Sequence, residues 1–411
     1  MRLYERGSGV LSTHVSIDDV IEKLAALSDG HRPQLVGEPL LLGEMAGFAS
    51  KIALINLKWP TERLDLPSRV VLKVPTMISH IEGLEQMKKE GKIEGEAVDL
   101  NALQDTESLY KKVHNVEMDF YTRIQNMEKR DLSLLKFYGG RLFDEENSSK
   151  GFLLLEYREN LIQLSCCDFI DEPTFLQILR NFAALHSIQK FYSEEEQKIK
   201  SRGYLSEIYK PMLVSDMTLK LMEILKNFTK DEELVEKVRK EVERMTTEEE
   251  IAALDSTSEK LGMKRVPVHG DGWQCNMLFR QNSEEIVQLD ALIDFQTLHY
   301  GNAGAELAKA FCSLLDKGHM TEVREKYLQI YYGFLEDEVQ GEMPFSLEQL
   351  RESCRRFLPL LAYLSACQKA ALVDVQLQKK EPHLRESFRE QVLNNVRTLL
   401  HFCTDPSFSS F

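Results

Sequence analysis

The stretch Val266–Arg280, VPVHGDGWQCNMLFR, sets a histidine, an aspartate and an asparagine into and just after a short apolar run. Buried polar groups cost free energy unless something pairs with them. Either these groups cap a turn or they hold a ligand. Asp271 and Asn276 are five apart, and His269 stands two before the aspartate. The following runs, NMLFR and IVQLDALIDF, are strand-like and are joined by the polar turn QNSEE, which predicts a β-hairpin. A hairpin brings its ends together, so Asn276 at the start of one arm and Asp294 at the end of the other are expected to meet. Oxygen donors of this kind suit magnesium, which takes one or two protein groups plus substrate phosphates.

This order of groups matches the phosphoryl-transfer template, in which an aspartate accepts the hydroxyl proton while an asparagine and a later aspartate hold magnesium. The template also asks for a strand lysine paired with a helix glutamate, and both stand upstream. Lys73 lies in VVLKVP, a run too apolar to hold an idle charge, and Glu117 lies on a helical stripe beside Val113, Phe120 and Tyr121. A Lys73–Glu117 pair would settle both partly buried charges and leave the ammonium aimed at phosphates. Each piece alone has an ordinary reading: a lysine can blunt an edge strand, and a glycine can serve any turn. The specificity lies in the series of glycine loop, lysine, glutamate, HxDxxxxN, hairpin and IDF. Within the loop, His269 reads as an organiser of the catalytic turn more than as a proton carrier.

The rest of the chain fits a two-lobed protein. Its 411 residues suffice for a large core, and 43% apolar with 28% charged content is that of a soluble globular chain. A net charge of −15 leaves no basic footprint for nucleic acid or an anionic membrane. The N-terminal MRLYERGSGVLSTHV lacks a secretion core, and no run approaches the roughly 18 apolar residues of a membrane span. The seven cysteines show no CxxC pair, so free thiols and a cytoplasmic location are expected. SIDDVIEKLAAL reads as a helix, with Ser16 and Asp19 as a capping box and Val20, Leu24 and Leu27 on one face. Strands are expected at Ile52–Leu57, RVVLKVP, SLLKFYGGRLF and GFLLLEY, with a helix over 106–127 whose stripe is Leu109, Val113, Val116, Phe120, Ile124 and Met127. The charged EGLEQMKKEGKIEGEAVDL is read as an exposed insertion. From Glu172 onward helices dominate, the last with Phe388, Val392, Val396 and Leu399 on one stripe. The expected class is therefore α+β, with a β-rich nucleotide-binding lobe over 1–157 and a helical lobe over 158–411 that carries the loop 269–276 and the metal-binding 293–296.

VPVHGDGWQCNMLF followed by LIDFQTLHYGNAGAELAKAF resembles the choline-kinase-like, or ecdysteroid-kinase-like, family of the protein-kinase-like and aminoglycoside phosphotransferase superfamily. The resemblance extends to GFASKIALI, VLKVPT, HNVEMDFY, FLLLEY and ILRNFAALHS, and so covers most of the chain. It implies a bilobal protein-kinase-like fold and an ATP- and magnesium-dependent transfer of the γ-phosphate to a hydroxyl of a small molecule, choline-like, sterol-like or another alcohol. Asp271 is then the base, Asn276 and Asp294 hold magnesium, Lys73 meets the phosphates and Glu117 orients it. Glu156 and Tyr157 fall at the hinge, where backbone pairs with adenine, and Gly43, Gly47 and Ser50 fall in the phosphate-covering loop. Two residues depart from the family pattern. Gly272 replaces an apolar residue after HGD, which predicts a looser loop, and Glu306 replaces an aspartate that supports that loop. A nucleotide-binding scaffold on the same fold is the alternative function. Protein substrates are disfavoured, because IDFQTLHYGNAGAEL runs almost directly into a helix without an activation segment. A Walker A signature is absent, which argues against a P-loop kinase. A choline-type acceptor would want an aromatic or acidic cage, for which Tyr331, Tyr332, Phe357 and Tyr363 are the aromatic candidates. Oligomeric state cannot be read from the sequence.

Overall fold

SKIALINLK and RVVLKVP pair antiparallel along their length, with Ile52 opposite Lys73 and Leu54 opposite Val71, and form the spine of a six-stranded sheet. The computed structural model describes residues 2–43, 49–60, 66–79, 81–82, 100–127, 131–188, 190–201, 215–281, 287–317 and 321–405. It divides into two units. The first holds Met1–Glu128, Leu134–Glu159 and Asp294–Thr297, and the second holds Lys129–Ser133, Asn160–Ile293 and Leu298–Phe411. Where the sequence suggested a cut after 157 with 293–296 in the later lobe, Asp294–Thr297 packs with the first unit.

In the first unit the strands are β1 (Gln34–Leu35), β2 (Leu40–Leu41), β3 (Ser50–Lys58), β4 (Arg69–Pro75), β5 (Phe137–Arg141) and β6 (Phe152–Glu156), in the order β1-β3-β4-β6-β5 with β2 beside β3. Helix α1 (Ile17–Ala25) begins at the expected capping box, in which the Ser16 hydroxyl takes the Asp19 amide and the Asp19 carboxylate takes the Ser16 amide. Its Val20 and Leu24 pack on Ala53, Ile55, Val70, Leu72 and Phe152 of the sheet, whereas Leu27 lies beyond the helix and is exposed.

Helix α2 (Leu100–Ile124) starts earlier and stops sooner than its apolar spacing suggested. Its buried face also differs. Leu109 is 42% exposed, while Leu103, Glu107, His114, Glu117, Met118, Phe120 and Tyr121 are buried. Polar partners outside the helix set this rotation: the His114 ring meets the Arg141 carbonyl at 2.9 Å, Glu107 accepts the Leu3 amide at 3.3 Å and Glu117 reaches Lys73. Most of the charged stretch 82–100 and the loop 44–48, including Gly47, lies outside the described residues.

The second unit contains β7 (Leu161–Ile162), β8 (Val266–Val268), β9 (Met277–Gln281), β10 (Val287–Leu292) and β11 (His299–Gly301). β9 and β10 form the expected hairpin, bulged between Leu289 and Ala291, with β7 on the far side of β9, and β8 pairs with β11. The helices are α3 (Glu172–His186), α4 (Glu194–Lys200), α5 (Ser215–Thr229), α6 (Glu232–Met245), α7 (Glu248–Asp255), α8 (Thr257–Leu261), α9 (Ala303–Leu314), α10 (Thr321–Glu338), α11 (Leu347–Lys379) and α12 (Arg385–Cys403). Val392, Val396 and Leu399 of α12 are buried as their spacing predicts, and Phe388 is half-buried.

Contrary to the sequence reading, α11 is long and apolar enough by length and composition to cross a membrane. Its most apolar window is 72% buried within the protein, and α9 and α12 pack on it, which is the environment of a core helix. Among the described residues it is the one helix that passes this test.

Helix α9 matters most for position, because it carries Glu306 and Lys309. Asn302 caps it: its Oδ1 accepts the Gly304 amide at 2.8 Å and the Ser353 hydroxyl, and its Nδ2 donates to Ser258 Oγ at 2.9 Å. Asn302→Ala removes the cap and strands two buried hydroxyls, so we expect a loss of about 2–3 kcal/mol. Urea unfolding should show a lower midpoint at an unchanged slope.

Candidate functional site

The first unit gathers Lys73, Glu117 and Asp294. Lys73 stands on β4, opposite Leu153 of β6, in the register that turns its side chain toward α2. Its Nζ lies 2.6 Å from Glu117 Oε2 and 2.5 Å from Asp294 Oδ1. Asp294 takes a left-handed backbone, φ 68°, and the 3₁₀ turn Phe295–Thr297 follows. Phe295 anchors that turn, stacked on Phe120 at 3.9 Å and edge-on to Tyr121 at 5.9 Å. Burial works against the Lys73 charge, yet Asp294 and Glu117 hold it well above the ordinary lysine value. Burial pushes the Glu117 carboxyl up to about 7; Lys73 pulls it down, and the Asp294 charge pushes it further up. One ammonium thus serves two carboxylates.

Ser50 begins β3 and, with Lys73, Tyr110, His114, Glu117 and Gln296, lines a small pocket. Gly43 has φ 70°, a left-handed turn that suits glycine. At the hinge position the Glu156 carboxylate is occupied by the Arg158 guanidinium at 2.8 Å and the Lys136 amide at 3.1 Å, and Tyr157 lies under the Arg69 guanidinium at 4.8 Å. Any nucleotide role at Glu156 and Tyr157 therefore falls to backbone.

The second unit presents the loop of the opening stretch. β8 delivers the chain to His269, which is fully buried and whose ring is spent on backbone: Nδ1 takes the Asp271 amide at 3.3 Å and Nε2 meets the Ile293 carbonyl at 2.9 Å. That is the work of a loop organiser. Asp271 is half-buried. Its Oδ2 accepts Asn276 Nδ2 at 2.8 Å, and its Oδ1 accepts the Lys309 ammonium. The Asn276 carbonyl takes the Ile293 amide at 3.0 Å, extending the hairpin by one bond past β10.

Glu306 supports this loop. Its Oε1 accepts the Gly270 amide at 2.8 Å, and its Oε2 accepts the His269 amide at 3.1 Å and meets His186 Nε2 at 2.8 Å. His186 in turn meets the Tyr331 hydroxyl at 2.6 Å through Nδ1. The longer side chain thus reaches the loop. Burial alone would raise its carboxyl, but the His186 bond, the His186 and His269 rings and the Gly270 amide hold it below the ordinary 4.5.

Gly272 is not slack either. A Cβ there would meet the Phe182 ring at 2.8 Å, so the Phe182 ring of α3 occupies the room a side chain would need.

Sequence reasoning missed Lys309 and Phe182. Lys309 had a signal: it is a second charge, three residues after Glu306, inside the apolar helix AGAELAKAFCSL. Phe182 had none beyond an ordinary core pattern. Of the aromatic cage candidates, Tyr331 and Tyr363 are fully buried and Tyr332 is tied to the Phe345 carbonyl at 3.1 Å.

The donor set fits magnesium with a nucleotide. Among the described residues no cluster of three or more His, Cys, Asp or Glu could cage a metal. Asp294 in the first unit and Asn276 in the second each carry a side-chain oxygen of the hard kind that magnesium takes alongside phosphate oxygens.

Residues 3–404 match the family profile described as "DUF1679: Uncharacterized oxidoreductase dhs-27". The chain belongs to this family. An "uncharacterized kinase-like protein" of Caenorhabditis elegans is 24% identical over 245 residues, which span 58% of this chain and 61% of that one. Among solved structures, the ethanolamine kinase of Plasmodium vivax aligns with 92% of this chain and 83% of its own at 13% identity and a TM-score of 0.42. The GDP complex of aminoglycoside 2'-phosphotransferase-IIIa aligns over 91% and 96% at 11% identity and a TM-score of 0.42. The oxidoreductase in the family description belongs to the protein it names. In this chain every strand pair among the described residues is antiparallel. A dinucleotide crevice of the doubly wound kind opens at the ends of parallel strands.

The Glu306 carboxyl sets an acid limit. Its folded value lies below its unfolded one, so its contribution is complete above about pH 4.5 and is lost as pH falls through the depressed value. Glu306→Gln should cost about 2–3 kcal/mol at pH 7. In denaturant titrations from pH 7 to pH 3, the gap between wild type and variant should narrow as the pH drops.

Proposed function

We propose that this chain is an ATP- and magnesium-dependent phosphotransferase that moves the γ-phosphate to a hydroxyl of a small-molecule alcohol. The observation that carries the reading is the pair of carboxylates on one buried ammonium. For folding alone, Glu117 would suffice as the partner of Lys73, and Asp294 adds like-charge repulsion. The arrangement makes sense where a dication and phosphates join it, since they rebalance two acids and one lysine.

In this reading Glu117 fixes the Lys73 ammonium, which holds the nucleotide phosphates, and Ser50 and Gly43 belong to the segment that covers them. Asp294 and Asn276 would hold magnesium, which would supply neutralisation of the phosphate charge. Asp271 orients the acceptor hydroxyl and takes its proton, while His269 and Glu306 keep the loop in the geometry this requires. Choline-like, sterol-like and other alcohols all supply the hydroxyl. The seven cysteines are free, which supports a reducing, cytoplasmic setting.

Two variants separate phosphotransfer from a nucleotide-binding scaffold. Asp271→Asn should keep the KM for ATP and lower kcat by about 10²–10⁴-fold, read as a product heavier by one phosphate in an ATP-dependent metabolite screen. A full rate in that variant would sink the assignment. Asp294→Asn should keep metal-free stability to within about 1 kcal/mol, because asparagine tolerates the left-handed backbone and removes a competing charge. It should, however, lose the thermal stabilisation given by MgATP. Stabilisation by MgATP in wild type without turnover of any alcohol would instead mark a scaffold.

A further inference from the structure

The cleft beside Asp271 has a cation at its reactive end. Gly270 and Lys309 form that end, Phe357, Leu360 and Leu361 give an apolar wall, and the space is about 630 Å³ counting its open mouth. Lys309 is 8% exposed, and its Nζ is bonded to Asp271 Oδ1 and stands 6.0 Å from the Trp273 ring centre. The Glu306 carboxylate, which also lines the cleft, is taken up by the Gly270 and His269 amides and by His186. Arg265 adds a second cation to the wall, paired with Glu259 at 2.8 Å and donating to the carbonyl of Asp255, the other acid of the lining. Among the described residues of the lining, Asp255 and Glu306 are the acids and both are engaged as above, and Tyr331 and Tyr363 are buried in the core.

We propose that Lys309 is a positioning and specificity-determining residue: it holds the Asp271 carboxylate and excludes acceptors that carry a positive charge next to the reacting hydroxyl. The inference rests on the phosphotransferase reading and narrows its acceptor. A hydroxyl that reaches Asp271 through this cleft arrives beside the Lys309 ammonium, and an amino alcohol brings a like charge to the same place. Lys309 is largely withdrawn from water, so that repulsion is felt strongly, and discrimination by repulsion needs no contact with the favoured substrate. An acceptor with an uncharged carbon framework next to the hydroxyl escapes that repulsion and can pack on the apolar wall of Phe357, Leu360 and Leu361.

The test uses a matched pair, choline and 3,3-dimethylbutan-1-ol, which share a shape and differ in the charge of the central atom. With the full chain and MgATP, wild type should favour the neutral alcohol at least tenfold in kcat/KM. Lys309→Gln should bring the two within about threefold with the KM for ATP unchanged, and Lys309→Arg should keep the wild-type preference. A merely structural lysine would lower both rates together and leave their ratio alone, which overturns the proposal, as does equal or better use of choline by wild type. Lys309→Met, which keeps the apolar stem, replaces the glutamine variant should that one fail to fold. If neither alcohol is phosphorylated, the same ratio is read as binding to the MgADP-loaded protein by saturation-transfer NMR. A preference for the neutral alcohol that Lys309→Gln erases then upholds the role of Lys309 independently of phosphotransfer, which the metabolite screen decides. The absence of any preference overturns the role of Lys309 as well.

Discussion

One buried carboxylate fixes the geometry of the second unit. Glu306, 5% exposed on α9, takes two consecutive backbone amides of the loop and the ring of His186 at the end of α3. Three separate pieces of chain are thereby referred to one pair of oxygens. Charge-assisted bonds to backbone amides are among the stronger ones a protein makes, and out of water their directionality is felt fully. With His269 and Gly270 pinned, the next residue has little choice of direction, so the placing of Asp271 follows from a helix 35 residues later in the sequence. The Asn302 cap and the packing of α9 against α11 serve the same end, since a helix that frayed at its start would release the carboxylate.

The two units treat buried charge in opposite ways. Around Glu306 one acid meets several donors, and its oxygens are satisfied. Around Lys73 one cation meets two acids, and Glu117 is left partly frustrated, which its raised carboxyl value expresses. A satisfied cluster is what a scaffold needs. An imbalanced one holds free energy that a ligand can release, and such imbalance is a mark of functional positions. The contrast separates the groups that shape the protein from the groups that the proposed function assigns to the nucleotide phosphates.

The legible parts of this protein were those written in short-range pattern. The capping box at Ser16, strands β3 to β6, and the hairpin after Asn276 follow from spacing and turn chemistry. The Lys73–Glu117 pair was legible because each charge stood in a run too apolar to leave it alone. The face of α2 was misjudged because apolar spacing favoured Leu109, Val113 and Val116. Its actual orientation answers to polar partners far away in sequence, the Arg141 carbonyl and Lys73. The apolar window of α11 was passed over because no unbroken apolar run marks it. The Lys309–Asp271 contact joins residues 38 apart, and no local pattern encodes such a pairing. Likewise, the prediction that Gly272 loosens its loop treated a missing side chain as missing contact, whereas a ring from α3 fills the space.

That last fit links two positions in heredity as well as in space. While the Phe182 ring keeps its place, a side chain at position 272 would meet it at 2.8 Å, and a larger residue there requires that ring to shift or to shrink. The two sites form an epistatic pair with a preferred order of change, first the ring and then the loop. Lineages that retain the phenylalanine in this position are therefore held toward glycine immediately after Asp271. Those that lose it are free to explore a residue whose side chain would stand next to Asp271.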